Sequence, residues 1–214
     1  MSVIAPCITA ETADQYKAIA DLLHPFAQRV HIDVSDGEFA PNFLLPSGQL
    51  WWPKEWTVDI HAMVARPFEH VAALITLKPN LIIFHAEVKE DILPVIAQIK
   101  QAGIKAGLAL LKSTVPSSVS AQIQAVDHVM IFSGELGKYG GTASMMQLEK
   151  VRLIKAINPN VEIGWDGGVS LENAYTLTQG GVDVLNTGGT IATSDNPAGM
   201  YEALAKEINK HGVI

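Results

Sequence analysis

Residues able to do chemistry gather in three short segments. In VHIDVSDGEFAPNF, Val30 to Phe43, strand alternation puts His31, Asp33 and Ser35 on one face and Ile32 and Val34 on the other. In VDIHAMV, Asp59, His61 and Met63 alternate with Ile60 and Ala62. In VEIGWDGGV, Asp166 stands directly before Gly167 and Gly168. Two imidazoles and two carboxylates suit a borderline divalent cation, so His31, Asp33, His61 and Asp166 form a candidate site for one ion of Zn²⁺, Fe²⁺, Mn²⁺ or Co²⁺. On their own, His31 and Asp33 are equally well explained as a structural hydrogen-bonded pair; His61 and Asp166, from two other strand ends, favour the metal set. The aspartates also suggest a reaction. With Asp33 and Asp166 on opposite faces of a substrate, one removes a proton beside a carbonyl and the other supplies one, while the ion stabilises the enediolate between the two steps. The competing reading keeps both as ligands only, or as caps of neighbouring turns.

Three glycine pairs, Gly140–Gly141, Gly167–Gly168 and Gly188–Gly189, follow the late strands. Without Cβ they let backbone N–H groups approach an anion, and three such pairs favour phosphate binding over simple tight turns. His85, ending a strand beside Glu87, is expected to line the same pocket, with a satisfied core histidine as the alternative.

These residues need strands to carry them. Eight β-branched runs recur: Val3–Cys7, Val30–Val34, Thr57–Met63, Leu81–His85, Lys105–Leu110, His128–Phe132, Val161–Trp165 and Val182–Thr187. Between them lie apolar stripes at helical spacing: Tyr16/Ile19/Ala20/Leu23, Phe68/Val71/Ala72/Ile75 after Pro67, Ile92/Val95/Ile96/Ile99 after Asp91, Leu148/Val151/Ile154/Ile157 and Tyr201/Leu204/Ala205/Ile208. The stretch between the second and third runs is irregular. Alternation of this kind predicts a single-domain (β/α)₈ TIM barrel over residues 1–214, near the lower size limit of that fold. A doubly wound sheet is the weaker alternative, because Cys7 is followed by ITAET rather than a glycine-rich turn. In a barrel the chemistry sits at the C-terminal ends of the strands, where these polar residues fall.

Composition narrows the function. The 214 residues are 48% hydrophobic and 17% charged, enough for a sizeable core. A formal charge of −7 argues against a nucleic-acid partner. One cysteine, Cys7, no signal-peptide pattern and no long apolar span predict a soluble, cytoplasmic protein without a membrane partner. Trp51, Trp52 and Trp56 crowd the irregular segment, where they would form the interface of a homo-oligomer or simply pack that segment.

Taken in order and spacing, HIDVSDGEFAPN, DIHAMV, FHAE, GIKAGLAL, WDGGVSLEN and GGVDVLNTGG resemble the ribulose-phosphate 3-epimerase family across nearly the whole chain. The resemblance implies a (β/α)₈ isomerase that interconverts D-ribulose 5-phosphate and D-xylulose 5-phosphate by inverting C3, using one divalent metal. It assigns the ligands to His31, Asp33, His61 and Asp166, and the acid/base pair to Asp33 and Asp166. Phosphate-binding backbone falls near Gly140–Gly141, Gly167–Gly168 and Gly188–Gly189, and Met63 is retained.

The departures surround the substrate. IAPCITAETA places Ala10 where the family has a serine that contacts substrate; Ser35 and Glu38 replace a methionine and a histidine; Leu111-Lys112 replaces Asn-Pro. FSGELGKYGGT, beginning at Phe132, replaces MSVNPGFGGQ. Lys112 at this rim is expected to meet substrate phosphate or a hydroxyl, with a solvated loop lysine as the alternative. Two other functions are carried forward: an epimerase of another ketose phosphate such as allulose 6-phosphate, and a non-catalytic sugar-phosphate binding protein. A decarboxylase or aldolase-like relative would usually carry Asp-x-Lys-x-x-Asp, and HIDVSDG has no lysine.

Overall fold

Each β-branched run forms a strand whose outward side chains pack beneath helices and whose inward ones fill a closed tube. The computed structural model of the chain describes residues 2–136 and 141–210. Its strands are β1 (Val3–Ile8), β2 (Arg29–Ser35), β3 (Thr57–Met63), β4 (Leu81–His85), β5 (Lys105–Leu110), β6 (His128–Phe132), β7 (Glu162–Asp166) and β8 (Val184–Thr187). All pair in parallel with their sequence neighbours, and β8 closes on β1. The helices are α1 (Ala13–Leu23), α2 (Pro67–Thr76), α3 (Leu93–Gln101), α4 (Ser120–Ala125), α5 (Glu149–Ile157), α6 (Ala174–Gln179), α7 (Gly189–Ala192) and α8 (Pro197–Ile208). This is the expected (β/α)₈ barrel.

Helix starts follow local chemistry. Thr12 Oγ1 accepts from the Gln15 N–H and opens α1, while Pro67 and Pro197 occupy first-turn positions where a missing N–H costs nothing. Asp91 does sit at the start of the third helix, its Oδ1 accepting from Leu93 N–H at 3.1 Å. Between β2 and β3 there is only a single 3₁₀ turn, Ser47–Gln49.

Strand ends fall within one residue of expectation with one exception. The run beginning at Val182 enters the sheet only at Val184, because Val182 N–H closes the end of α6 on Leu177 O and Gly181 turns at φ +93°. Asp183 then ties the turn to β7 through Ile163 N–H.

The core has two parts. Ile32, Val34, Ile60, Ala62, Leu108 and Trp165 belong to the shell between sheet and helices, whereas Leu81, Ile83, Ala109, Met130 and Phe132 fill the barrel interior. The barrel floor is polar. Arg29 donates two bonds to Glu162, at 2.9 and 2.8 Å, and one to Asp59 at 2.6 Å; His128 Nδ1 lies 2.8 Å from Glu162. Burial would raise the Glu162 pKa, but its bonds to Arg29 and His128 hold it well below the usual carboxylate range. The crowded tryptophans mostly pack that segment: Trp56 is buried, and Tyr16 donates to Trp51 O and meets the Trp51 ring edge-on. Trp51 itself stays exposed.

Candidate active site

Strand register assembles the site at the C-terminal rim. Asp33 pairs with His61 across β2 and β3, Cys7 with His31 across β1 and β2, and Asp166 with Phe132 and Asn186 on its two sides. One atom from each of His31, Asp33, His61 and Asp166 lies within 4.8 Å of the others. Asp33 Oδ1 is 2.9 Å from His61 Nδ1 and 3.2 Å from His31 Nε2; Asp166 Oδ2 is 3.7 Å from each imidazole. Bonds of about 2.1 Å in a tetrahedral site would space ligands at about 3.4 Å, within this range. His31 supplies a second test. Fully buried, it has both ring nitrogens without an aligned hydrogen-bond partner, although Nε2 faces two carboxylates. A buried, unpaired imidazole costs free energy unless its lone pair serves a cation. The four residues therefore fit a divalent metal ion.

The two carboxyls are electrostatically distinct. Burial pushes Asp33 up, but the adjacent imidazoles of His31 and His61 outweigh it and hold Asp33 well below the usual range. Thr9 Oγ1 also donates to Asp33 Oδ2 at 2.5 Å. Asp166 is raised, by burial and by the adjacent Asp33 charge, against the opposing pull of the histidines. Environments that push the pKa values of two neighbouring acids apart are the pattern of an acid/base pair.

The cluster opens into a cavity walled by Cys7, Thr9, Met63, Phe132 and Asn186 and floored by glycine loops. Gly141, Gly167, Gly168, Gly188 and Gly189 line it, as do Ser170 and Thr190; Gly140 lies outside the described residues. Gly167 and Gly168 are demanded by geometry. Both have positive φ, +103° and +70°, and an added Cβ would stand 2.1 Å from Gly134 N and from Ala143 N respectively. Trp165 Nε1 and Asn173 Nδ2 donate to the Gly167 and Gly168 carbonyls, fixing the loop.

Three expected residues stand elsewhere. His85 is not on the cavity wall: fully buried, it sits behind His61, with Nε2 atoms 2.8 Å apart and its Nδ1 3.2 Å from Glu87. Burial brings its pKa down to about 4, against the upward pull of Glu87. Lys112 is exposed and lines a wider neighbouring cavity with Pro41 and Leu136, the two cavities meeting at Phe132, Gly134 and Glu135. Ala10 faces the outer shell, buried in the main core. Cys7 and Thr9 line the cavity instead, and period-two alternation along β1 was the signal that would have found them. Glu38 is turned outward, bonded by both Arg66 terminal nitrogens at 2.6 and 2.8 Å.

Comparison with known proteins agrees with this geometry. The family model described as "Ribulose-phosphate 3 epimerase family" matches residues 3–192. The ribulose-phosphate 3-epimerase of Chlamydia muridarum is 28% identical over 98% of this chain and 96% of its own. That of Helicobacter pylori strain ATCC 700392 is 32% identical over 83% of this chain and 85% of its own. Among solved structures, 3-hexulose-6-phosphate synthase from Salmonella typhimurium superposes with a TM-score of 0.73 at 16% identity, covering 98% of this chain and all (100%) of that one, a likeness of fold alone. With the family pattern running through both the strands and the ligand cluster they present, the chain belongs to the ribulose-phosphate 3-epimerase family.

Proposed function

We propose that the protein is a metal-dependent 3-epimerase interconverting D-ribulose 5-phosphate and D-xylulose 5-phosphate. The observation that carries this is the pair of unequal carboxyls, Asp33 and Asp166, inside one His/Asp cluster that opens onto a glycine-lined cavity. His31, Asp33, His61 and Asp166 would hold the ion, which supplies Lewis-acid stabilisation of negative charge developing on substrate oxygens. Asp33, held ionised, accepts the C3 proton as the C3–H bond breaks and its electron pair moves toward the C2 carbonyl oxygen, giving an enediolate. Asp166, whose pKa burial and the adjacent Asp33 raise, returns a proton to C3 from the opposite face and the C2 carbonyl re-forms. The reverse reaction exchanges the two roles. Phosphate is taken by the loops of Gly140–Gly141, Gly167–Gly168 and Gly188–Gly189, and Met63 walls the cavity beside the reacting carbons.

The test is incubation of metal-loaded protein with D-ribulose 5-phosphate in D₂O, following xylulose 5-phosphate and C3 deuterium by NMR, with Asp166→Asn alongside. Deuterated product, lost in the variant, is expected. No product and no exchange from folded, metal-loaded protein refutes the reading. The wider cavity adjoining the site favours one second reading, a hexulose 6-phosphate substrate, and kcat/KM on allulose 6-phosphate against ribulose 5-phosphate separates the two. Lys112, on the wall of that wider cavity, contacts phosphate or a hydroxyl in either case; unchanged KM and kcat in Lys112→Ala would exclude it. The proposal includes a homo-oligomer, for which exposed Phe43 and Trp51 offer apolar surface, and sedimentation velocity gives the assembly state.

A further inference from the structure

Behind the ligand cluster a chain of polar groups runs back from Asp33 and His61 to His85 and Glu87, which the reaction itself does not use. His61 turns Nδ1 toward Asp33 Oδ1 at 2.9 Å and Nε2 toward His85 Nε2 at 2.8 Å; His85 Nδ1 faces Glu87 Oε2 at 3.2 Å. The far oxygen of Glu87 accepts from Leu111 N–H at 2.9 Å and from the Thr114 hydroxyl. Both imidazoles are fully buried, and His85 packs against the rings of Phe39 and Phe132, 4.6 and 5.7 Å away between centroids.

Counting protons gives this chain a direction. Its links, Asp33 to His61, His61 to His85 and His85 to Glu87, are three, and each needs one proton. Two neutral imidazoles bring only two. While both imidazoles stay neutral and no cation is bound, one link must oppose lone pair to lone pair, a costly arrangement in a dry interior, unless a third proton enters and charges an imidazole between the two carboxylates. A cation shared by Asp33 and His61 Nδ1 removes the deficit. His61 then keeps its proton on Nε2 and donates to His85 Nε2, and His85 donates from Nδ1 to the Glu87 carboxylate. Every link is satisfied.

We propose that Glu87, acting through His85, is a positioning residue that sets the tautomer of His61 and so keeps its Nδ1 lone pair available to a divalent cation. This rests on the metal-site reading above, and its readouts are separate from turnover. Outer-shell partners of metal-ligating histidines of this kind are worth roughly 10–100-fold in metal affinity.

Glu87→Gln is the informative variant because it is nearly isosteric. Its amide oxygen keeps the Leu111 and Thr114 bonds, and its NH₂ then faces His85 Nδ1. The chain reverses: the introduced amide donates to His85 Nδ1, His85 Nε2–H donates to His61 Nε2, and His61 Nδ1–H donates to Asp33. All three links are satisfied without a cation, and the ligand lone pair is lost. The metal-free variant is therefore expected to melt no lower than the metal-free native protein, while its Zn²⁺ dissociation constant, measured by chelator competition, rises about 10–100-fold. A purely structural carboxylate would instead lower the metal-free Tm. In the native protein loaded with Zn²⁺, long-range ¹H–¹⁵N NMR should show His61 protonated on Nε2 and His85 on Nδ1. Zn²⁺ affinity unchanged in Glu87→Gln overturns the proposal, as does His85 carrying its proton on Nε2 in the loaded native protein. The tautomer measurement decides the matter if the variant does not fold. A native protein that binds no Zn²⁺ would overturn both this inference and the metal site; one that binds it with the wrong tautomers overturns this inference alone.

Discussion

Gly167→Ala offers the sharpest test of how the site is positioned. Two penalties can be worked from the structure. At φ +103° an L side chain is strained by about 1–3 kcal/mol. The new Cβ would also stand 2.1 Å from Gly134 N and 2.4 Å from Gly134 Cα, so the loop after β6 must retreat about 1.3 Å to reach an ordinary 3.4 Å contact. That loop is coupled to the chemistry, because Ser133 N–H donates to Asp166 O at 2.7 Å and Gly134 lines the cavity. A displacement of about 1 Å at a reacting centre costs on the order of 100-fold, or about 2.7 kcal/mol of transition-state stabilisation. Gly103→Ala isolates the strain. Its φ is +76°, nothing lies within 4 Å of the added Cβ, and it sits in the α3–β5 turn at the opposite end of the barrel. Urea unfolding should show Gly103→Ala less stable by about 1–2 kcal/mol, with kcat/KM on ribulose 5-phosphate unchanged. Gly167→Ala should lose at least as much stability and about 100-fold in kcat/KM. If kcat/KM for the two variants agrees within about threefold, the close approach of the two loops does not position the site and the reasoning fails.

Other expectations concern stability and the rim. Glu162, whose folded pKa is depressed by Arg29 and His128, contributes stability that is present above its unfolded pKa of about 4.3 and is lost as pH falls toward the folded value. Glu162→Gln should therefore lower Tm at neutral pH and flatten its decline below about pH 4.3; an acid limb identical to the native one would remove the floor network from the account. Stripping the metal from protein saturated at about 100 times its Kd removes about 2.7 kcal/mol, or about 5–10 °C of Tm for a chain of this size, and calorimetry with and without chelator measures it. Because Ala10 faces the core, Ala10→Ser should cost about 1–3 kcal/mol without improving KM. Cys7→Ser, on the cavity wall, should shift KM instead; steady-state kinetics on both variants check the assignment, and the opposite pattern would contradict it.

Much of this molecule was legible in one dimension. Period-two and helical spacing are local consequences of backbone geometry, so all eight strands and the main helices could be read, and alternation sent His31, Asp33 and His61 into the barrel while Ile32 and Ile60 faced the helices. Asp166 followed from its place at a strand end before a glycine pair. What the sequence could not determine depended on which strands become neighbours and how closely loops approach. Only the β2–β3 register brings Asp33 beside His61, and only barrel closure puts Asp166 against both histidines. His85 read as a pocket residue because strand-end position says nothing of depth; the neighbouring strand places His61 in front of it. Glu87 likewise became a partner rather than a flanking charge when Leu111 and Thr114, more than twenty residues away, closed around its far oxygen. Ligand types and their faces are short-range properties of a chain. Distance, depth and the direction of a hydrogen-bonded relay belong to the closed barrel, because they are set by contacts between segments that the sequence holds far apart.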